Sequence, residues 1–186
     1  MGLFDAFKKE EVVGTKILVC TLDGARFQSL LNSDSQQYKR LYPATSANVF
    51  AGVPAFTQAL AQAYDIVHFY GDVAPDGSIG GGMTGAQLLD ACCTANVKLL
   101  WIANDNKPEN YAKAFDTRGK KINLITTLRR LGPYFPLFLG NLLEKTSAGE
   151  PLAQAWEQLN PKGGDSVQPD TPECGFFGGR KVVLKK

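Results

Sequence analysis

Four cysteines and one histidine are the residues of this 186-residue sequence that suit nucleophilic catalysis. A cysteine nucleophile works as the thiolate, and an imidazole within hydrogen-bond reach is a common base for it. Cys20 and His68 lie in apolar runs, and Cys92 and Cys93 lie on a predicted helix. Cys174 lies in a late glycine-rich stretch and is the one thiol that we expect near the carboxyl edge of a sheet. Cys174 with His68 is a conceivable dyad, but a packed, hydrogen-bonded strand residue is the favoured interpretation of His68.

Three aspartates follow predicted strands, namely Asp23, Asp72 and Asp105. Carboxylates that converge at one sheet edge could hold Mg²⁺ or Ca²⁺, which makes a metal-dependent hydrolase one alternative. Acids that cap helices and turns after strands are more common. The sequence has no CxxC, HxxH or HExxH spacing that would indicate zinc. We therefore predict no metal site.

A glycine-rich motif runs from Gly80 to Gly85 and fits G-x-G-x-x-G. A predicted helix and strand follow it, so Gly80, Gly82, Gly85 and Asp105 form an alternative nucleotide-binding set. In that fingerprint the glycines follow the strand directly, whereas residues 72–79 intervene here. A loop tip is the favoured interpretation, and no cofactor is predicted.

The sequence predicts that these residues are positioned by alternating strands and helices. The apolar runs are continuous, as expected of strands covered on both faces. Helical patterns begin near Pro54, Thr84, Phe135 and Pro151. Residues 28–42 fit either a helix or an ordered loop, and residues 72–84 and 160–179 read as loops. The predicted strands are 16–21, 65–70, 97–103 and 122–126, with an edge strand near 181–184.

Length and composition predict one α/β domain over residues 16–186, preceded by a short segment, residues 1–15. The net charge of +2 lacks the basic footprint of a nucleic-acid binder. The sequence contains no run of about 18 apolar residues, so we expect no transmembrane segment. The cysteines form no regular framework, which favours reduced thiols in the cytoplasm.

Several segments, taken in order, match the motifs of one known protein family. His68, Phe69 and Gly71 match the family's His-Phe-x-Gly-His-Gly run. Residues 83–89 resemble its Leu-Thr-x-x-x-Leu-Leu helix opening, and residues 97–105 fall where it has a strand ending before the nucleophile. Residues 148–155 resemble its Ala-Gly-x-x-x-x-x-Ala segment. Over about residues 64–159 the sequence therefore resembles CHAT and other caspase-like proteases. The resemblance implies a caspase-like three-layer sandwich, with a mainly parallel sheet and helices on both faces.

The resemblance fails at both catalytic positions. Asp72 stands where the family has its catalytic His, and Asp105 stands at the position of its nucleophilic Cys. Carboxylates cannot replace a thiolate and an imidazole in this chemistry. The resemblance therefore implies a non-catalytic, pseudoprotease-like module, not an enzyme, that acts by protein–protein contact. A homodimer or another protein partner, joined through a sheet edge or the two loops 72–84 and 160–179, is what we expect.

Overall fold

The computed structural model of the chain describes residues 10–103, 114–127, 134–159, 174–178 and 181–186. These residues form eight strands and five helices. The strands are Glu10–Val12 (β1), Ile17–Thr21 (β2), Thr45–Val49 (β3), Ile66–Tyr70 (β4), Leu99–Ala103 (β5), Asn123–Thr127 (β6), Cys174–Phe177 (β7) and Val182–Leu184 (β8). The helices are Gly24–Leu41 (α1), Val53–Leu60 (α2), Gly85–Thr94 (α3), Tyr134–Ser147 (α4) and Leu152–Leu159 (α5).

Six strands of the described chain form the central sheet in the order β3-β2-β4-β5-β6-β7. The first five pair in parallel, and β7 runs antiparallel to β6. Every residue of β2, β4 and β5 is buried, because helices cover both faces of the sheet. This architecture confirms the predicted α/β sandwich with a mainly parallel sheet.

The two faces of the sheet carry separate apolar cores. Along β4, Ile66 and Tyr70 belong to the core beneath α1, α4 and α5. Val67 and Phe69 belong to the core beneath α2 and α3. The alternation follows from the two-residue repeat of a strand, which sends neighbouring side chains to opposite faces. A side chain on one face therefore cannot reach a side chain on the other.

Polar caps fix where two of the helices begin. The Thr84 hydroxyl accepts a hydrogen bond from the Gln87 amide at 3.2 Å, and the Gln87 side chain accepts one from the Thr84 amide at 2.8 Å. This capping box starts α3, as the sequence predicted at Thr84. Asp23 caps α1. Because α1 runs to Leu41, the ambiguous stretch 28–42 is mainly helix. Phe27, Leu31 and Tyr38 are the large apolar side chains that α1 buries.

Two sequence predictions about the sheet edges were wrong. The strand near 181–184 is β8, but it pairs in parallel with β1 in a separate two-stranded sheet. Its residues are at most 1% exposed, because β1 covers one side and the core of α4 and α5 covers a face. The edge beyond β6 is instead β7, which lies within the predicted loop 160–179. The opposite edge, β3, has a mixed polar sequence that gave no strand signal.

The helices among the described residues include none with the length and apolar character needed to cross a membrane.

Candidate functional site

The candidate site is a cleft between the carboxyl ends of β2 and β4. These strands are neighbours, although β3 lies between them in sequence and on the far side of β2. The chain thus leaves β2 in one direction and returns on the other side, and such a switch point opens a crevice where ligands bind in open α/β sheets. The cleft has a volume of about 120 Å³. Its lining includes Thr21, Asp23, Arg26, Tyr70, Asp72 and Gly80.

An ion pair between Arg26 and Asp72 crosses this cleft. Nη1 of Arg26 contacts Oδ2 of Asp72, and the two side chains are 56% and 36% exposed. The Oδ1 atom of Asp72 is enclosed and accepts no hydrogen bond from the described residues. The guanidinium also lies 5.0 Å from the ring centre of Phe27. The negative charge of Asp72, which follows β4, is therefore paired with the guanidinium of Arg26.

Backbone contacts around the end of β2 hold Arg26 in position. The Thr21 hydroxyl donates to the Tyr70 carbonyl at 2.9 Å and accepts from the Asp23 amide at 3.0 Å. The Asp23 carboxylate in turn accepts from the Arg26 amide at 3.2 Å. These bonds tie the first turn of α1 to the ends of β2 and β4. The first turn of α1 thus directs the arginine side chain across the crevice.

A hairpin rich in glycine borders the cleft. Ser78 and Thr84 pair as an antiparallel bridge, and Gly80, Gly81 and Gly82 have φ angles of 83°, 60° and 77°. A Cβ atom on Gly81 would lie 2.7 Å from Cδ1 of Leu22 and at a φ of 60°, so a side chain there would strain the backbone and require Leu22 to move. The glycines therefore serve a tight turn that lies against the β2 end.

The structure describes three of the four residues of the alternative nucleotide-binding set, and they do not share one surface. Gly80 and Gly82 lie at the hairpin tip, and nothing lies within 4 Å of a Cβ built on either. Gly85 is the first residue of α3, where a Cβ would lie 2.8 Å from the Cβ of Ala114 and 2.9 Å from the ring of Phe115. Its lack of a side chain thus serves helix packing. Asp105 lies outside the described residues.

The strands that carry the two predicted catalytic positions are neighbours. β4 pairs with β5 in parallel, with Tyr70 opposite Ala103. The carboxyl ends of the two strands therefore lie side by side at the same edge of the sheet. Asp72 follows β4 by two residues and lies in the cleft. The residue at the second position, Asp105, lies outside the described residues.

His68 lies deep in the core, away from the cleft. It is 0% exposed and stacks between Tyr70 and Trp101, at ring-centre distances of 4.8 and 5.2 Å. The Tyr38 ring meets it edge-on at 5.6 Å. The sole imidazole is therefore packed among aromatic rings, as predicted, while the hydrogen bond expected of it stays a prediction.

The described thiols are separated from His68 by the sheet. Cys20 and Cys92 are buried in the core on the opposite face. Burial raises the pKa of both thiols well above the ordinary value, and Cys92 adds to the increase at Cys20. A low thiolate fraction makes both cysteines poor nucleophiles. Cys93 is half-buried on the same helix, α3.

The backbone of Cys174 lies far from His68. Cys174 pairs with Thr127 at the end of β6, and β5 lies between β6 and β4. Three strand spacings of roughly 4.8 Å put Cys174 about 14 Å from the backbone of β4. A hydrogen-bonded dyad needs the sulfur and the imidazole nitrogen within about 3 Å, which this spacing does not provide.

The two described acids of the alternative metal site, Asp23 and Asp72, are engaged by Arg26, and the third, Asp105, lies outside the described residues. Asp23 accepts from the Arg26 amide, and Asp72 faces the Arg26 guanidinium. A fixed positive charge beside a carboxylate opposes cation binding there. In the described part of the chain, no three acidic, histidine or cysteine side chains come together in a way that could hold a metal ion.

Arg26 is the site residue that sequence reasoning missed. It lies five residues after the end of β2, in the stretch that the strand-end rule brings to the carboxyl edge. The same rule selected Asp23, but not a cation one helical turn later. The partner of Asp72 could therefore have been found by asking which basic residues follow the neighbouring strand.

Comparison with known proteins supports the fold class. No protein-family model matches the chain, and no curated protein matches it. Among solved structures, the chain is similar to one described as pro-sf-caspase-1, with a TM-score of 0.54 and 11% sequence identity. The similarity covers 96% of this chain and 95% of that one. The fold is therefore caspase-like over nearly its whole length.

Proposed function

We propose that this chain is a non-catalytic caspase-like domain of the CHAT type that acts by protein–protein contact. The observation that carries the proposal is the Arg26–Asp72 ion pair in the cleft after β4. The resemblance around His68, Phe69 and Gly71 aligns Asp72 with the catalytic His of active relatives. A carboxylate paired with a guanidinium stands there instead.

The surroundings of the other reactive groups support the same proposal. An active peptidase needs a thiolate beside an imidazole at the carboxyl edge of the sheet. The sole imidazole is buried under α1, and the thiols of Cys20 and Cys92 lie beneath the opposite face. Free buried thiols are also compatible with a reducing compartment, and we propose a cytoplasmic location.

The proposed contact surface is the outer edge of β7. This strand pairs with β6 on one side, and no described strand pairs with its other side. Phe177 is 49% exposed there, whereas Phe176 packs against Trp156 at a ring-centre distance of 5.7 Å. An open strand edge with an exposed aromatic side chain is a template for pairing. The simplest partner is a second copy of the chain, which places two β7 strands side by side.

Peptide hydrolysis tests the loss of catalysis. Fluorogenic peptides with acidic, basic and apolar residues before the cleavable bond should be hydrolysed no faster than in buffer. The matched variants are Cys174→Ala, at the edge of the sheet, and Cys93→Ala, on α3. Turnover that is lost in Cys174→Ala and kept in Cys93→Ala would contradict the proposal.

Light scattering coupled to size-exclusion chromatography tests the contact. The wild-type chain should have a mass near twice its 20.2 kDa at micromolar concentrations. Phe177→Asp should give monomers, because it puts a charge at the paired edge. Val49→Asp, at the opposite edge and 42% exposed, should remain dimeric. A monomeric wild type, or equal dimerisation of all three proteins, would rule out pairing through β7.

A further inference from the structure

An acid and an imidazole are buried together in the core beneath α1. Asp34 belongs to α1 and His68 to β4, and both side chains are 0% exposed. The described residues include no other carboxylate, and no lysine or arginine, that is buried. A charge on Asp34 or His68 alone would therefore be an uncompensated charge in an apolar core, which is costly.

Two tyrosines connect the acid to the imidazole. The Tyr70 hydroxyl donates a hydrogen bond to the Asp34 carboxylate, and the Tyr70 ring stacks on His68 at a ring-centre distance of 4.8 Å. The Tyr38 ring meets His68 edge-on at 5.6 Å. Burial raises the pKa of the Tyr38 phenol, and the nearby charge of Asp34 adds to the increase. The Tyr70 side chain therefore spans the gap between the carboxylate and the imidazole.

The aromatic rings around His68 suit a positive charge on its imidazole. Tyr70 and Trp101 both stack on it at an interplanar angle of 25°, and the electron-rich face of an aromatic ring attracts a cation. Trp101 is itself held edge-on by Phe138 of α4, at a ring-centre distance of 6.3 Å. The other ionisable side chains of this core are the phenols of Tyr38, Tyr42 and Tyr70, since its buried residues from β2, β5, α4, α5 and β8 are apolar.

We propose that His68 and Asp34 form a buried imidazolium–carboxylate pair across Tyr70, and that loss of its proton loosens α1 from the sheet. With one proton the pair has no net charge, which is the least costly state in this core. Removing the proton leaves the carboxylate alone, and adding a second one leaves the imidazolium alone. Tyr70 also lines the cleft and α1 carries Arg26, so the pair makes the seating of both sensitive to pH. The pair is a property of the fold and does not depend on the proposed contact function.

The pair gives the stability of the protein a defined pH dependence. In an unfolded chain an imidazole loses its proton near pH 6.5, about the middle of the neutral range, whereas the folded pair retains it. Above that pH the folded state binds more protons than the unfolded state, so stability falls as the pH rises. The unfolding constant should therefore increase roughly 20-fold between pH 6 and pH 8. A neutral imidazole beside a charged Asp34 predicts the opposite trend, because the unfolded chain would then bind the extra proton.

NMR of the imidazole tests the pair directly, because His68 is the only histidine of the chain. The protein is labelled with ¹⁵N-histidine, and the ring nitrogen shifts are followed from pH 5.5 to pH 8.5. We expect both nitrogens to have the shifts of a protonated imidazolium at pH 7.5. Asp34→Asn keeps an oxygen acceptor for Tyr70 but removes the charge, so the ring should be neutral at that pH. Asp90→Asn, on α3 and paired with Lys120 at the surface, should leave the spectrum unchanged.

Urea unfolding of the wild-type chain at pH 6, 7 and 8 provides a second measurement that needs no variant. The unfolding constant should increase across this series. Three outcomes would overturn the inference: a neutral imidazole in the wild-type chain at pH 7.5, a stability that increases from pH 6 to pH 8, or the same imidazole titration in Asp34→Asn as in the wild type.

Discussion

Tyr70 on β4 donates a hydrogen bond from its hydroxyl to the carboxylate of Asp34 on α1, and both side chains are fully buried. The bond links the central sheet to the helix that covers it. Burial raises the pKa of the nearby Tyr38 phenol, and the charge of Asp34 raises it further. An acidic side chain thus lies within the aromatic cluster that encloses His68.

Removing the Tyr70 hydroxyl should destabilise the protein. Tyr70→Phe takes one donor from a buried carboxylate, and such a loss costs about 1–3 kcal/mol. The measurement is the free energy of unfolding in urea at neutral pH. Tyr64→Phe is the matched control, because its hydroxyl donates to the neutral, partly accessible side chain of Gln62 at 3.1 Å. Equal stabilities of the two variants would show that the buried bond contributes nothing specific.

The cysteines should differ in their reaction with alkylating agents. The raised pKa values of Cys20 and Cys92 leave little thiolate at pH 8, and burial excludes the reagent. Cys93 is half-buried, so it should be modified in the folded protein. Mass spectrometry of iodoacetamide-treated protein measures the extent at each site. Labelling of Cys92 at the rate of Cys93, without unfolding, would contradict the assigned burial.

Tyr42 should make stability depend on pH in the alkaline range. Burial raises its pKa to about 12, while the hydrogen bond with Thr146 acts in the opposite direction. Because the pKa is higher in the folded state, its contribution is complete below pH 10 and is lost as the pH rises towards 12. A shift of this size corresponds to about 2–3 kcal/mol.

Urea unfolding of wild type and Tyr42→Phe measures this dependence. The difference in unfolding free energy between the two proteins should fall by that amount between pH 9 and pH 12. Tyr64→Phe serves again as the control, because the Tyr64 hydroxyl contacts Gln62 and lies away from Tyr42 and Thr146. A constant difference across the range would mean that Tyr42 ionises equally in the folded and unfolded chains.

The capping box of α3 should contribute measurably to stability. Thr84→Ala removes the hydroxyl that accepts from the Gln87 amide, and losing such a cap costs about 1 kcal/mol. Thr57→Ala is the comparison, since its hydroxyl donates to the Val53 carbonyl within its own helix. We expect that change to stay within about 0.5 kcal/mol. Thermal and urea unfolding of both variants provide the test.

The Arg26–Asp72 pair should contribute little to stability. Both side chains are partly exposed, and such pairs contribute about 0–1 kcal/mol. Arg26→Ala should therefore unfold close to wild type, as should Arg118→Ala, whose pair with Asp116 is more exposed. A loss of about 3 kcal/mol for Arg26 alone would mean that the pair holds the fold together. The ion pair would then be explained by stability alone and would no longer support a functional role for the cleft.

The apolar strands were predictable because they are buried on both faces. The runs around Val19, Val67 and Leu100 are continuous in the sequence and lie at the centre of the sheet. β3 was missed because it is an edge strand with the sequence Thr-Ser-Ala-Asn-Val, in which no apolar pattern develops. β7 was missed because Gly175 and a glycine- and proline-rich approach resemble a loop.

The site was predictable only to the level of strand ends. The rule that sites form at the carboxyl edge of a parallel sheet selected Asp23 and Asp72, and both line the cleft. It did not show that Arg26 would join them, because an ion pair depends on which strands are neighbours. The pairing of β8 with β1 was also hidden, since two three-residue strands far apart in sequence give no local signal.

The small β1–β8 sheet joins residues from opposite parts of the sequence. The Thr15 hydroxyl, just after β1, donates to the Lys185 carbonyl at a sequence separation of 170 residues. Closing so long a loop has a large entropic cost, and synthesis delivers β8 after every other described element. In the folded chain β8 covers the core near Tyr42, whose hydroxyl lies 3.4 Å from the Leu184 carbonyl. The core near Tyr42 is therefore complete only when β8 has paired with β1, so a variant that disrupts this pairing should be cleaved faster by proteases.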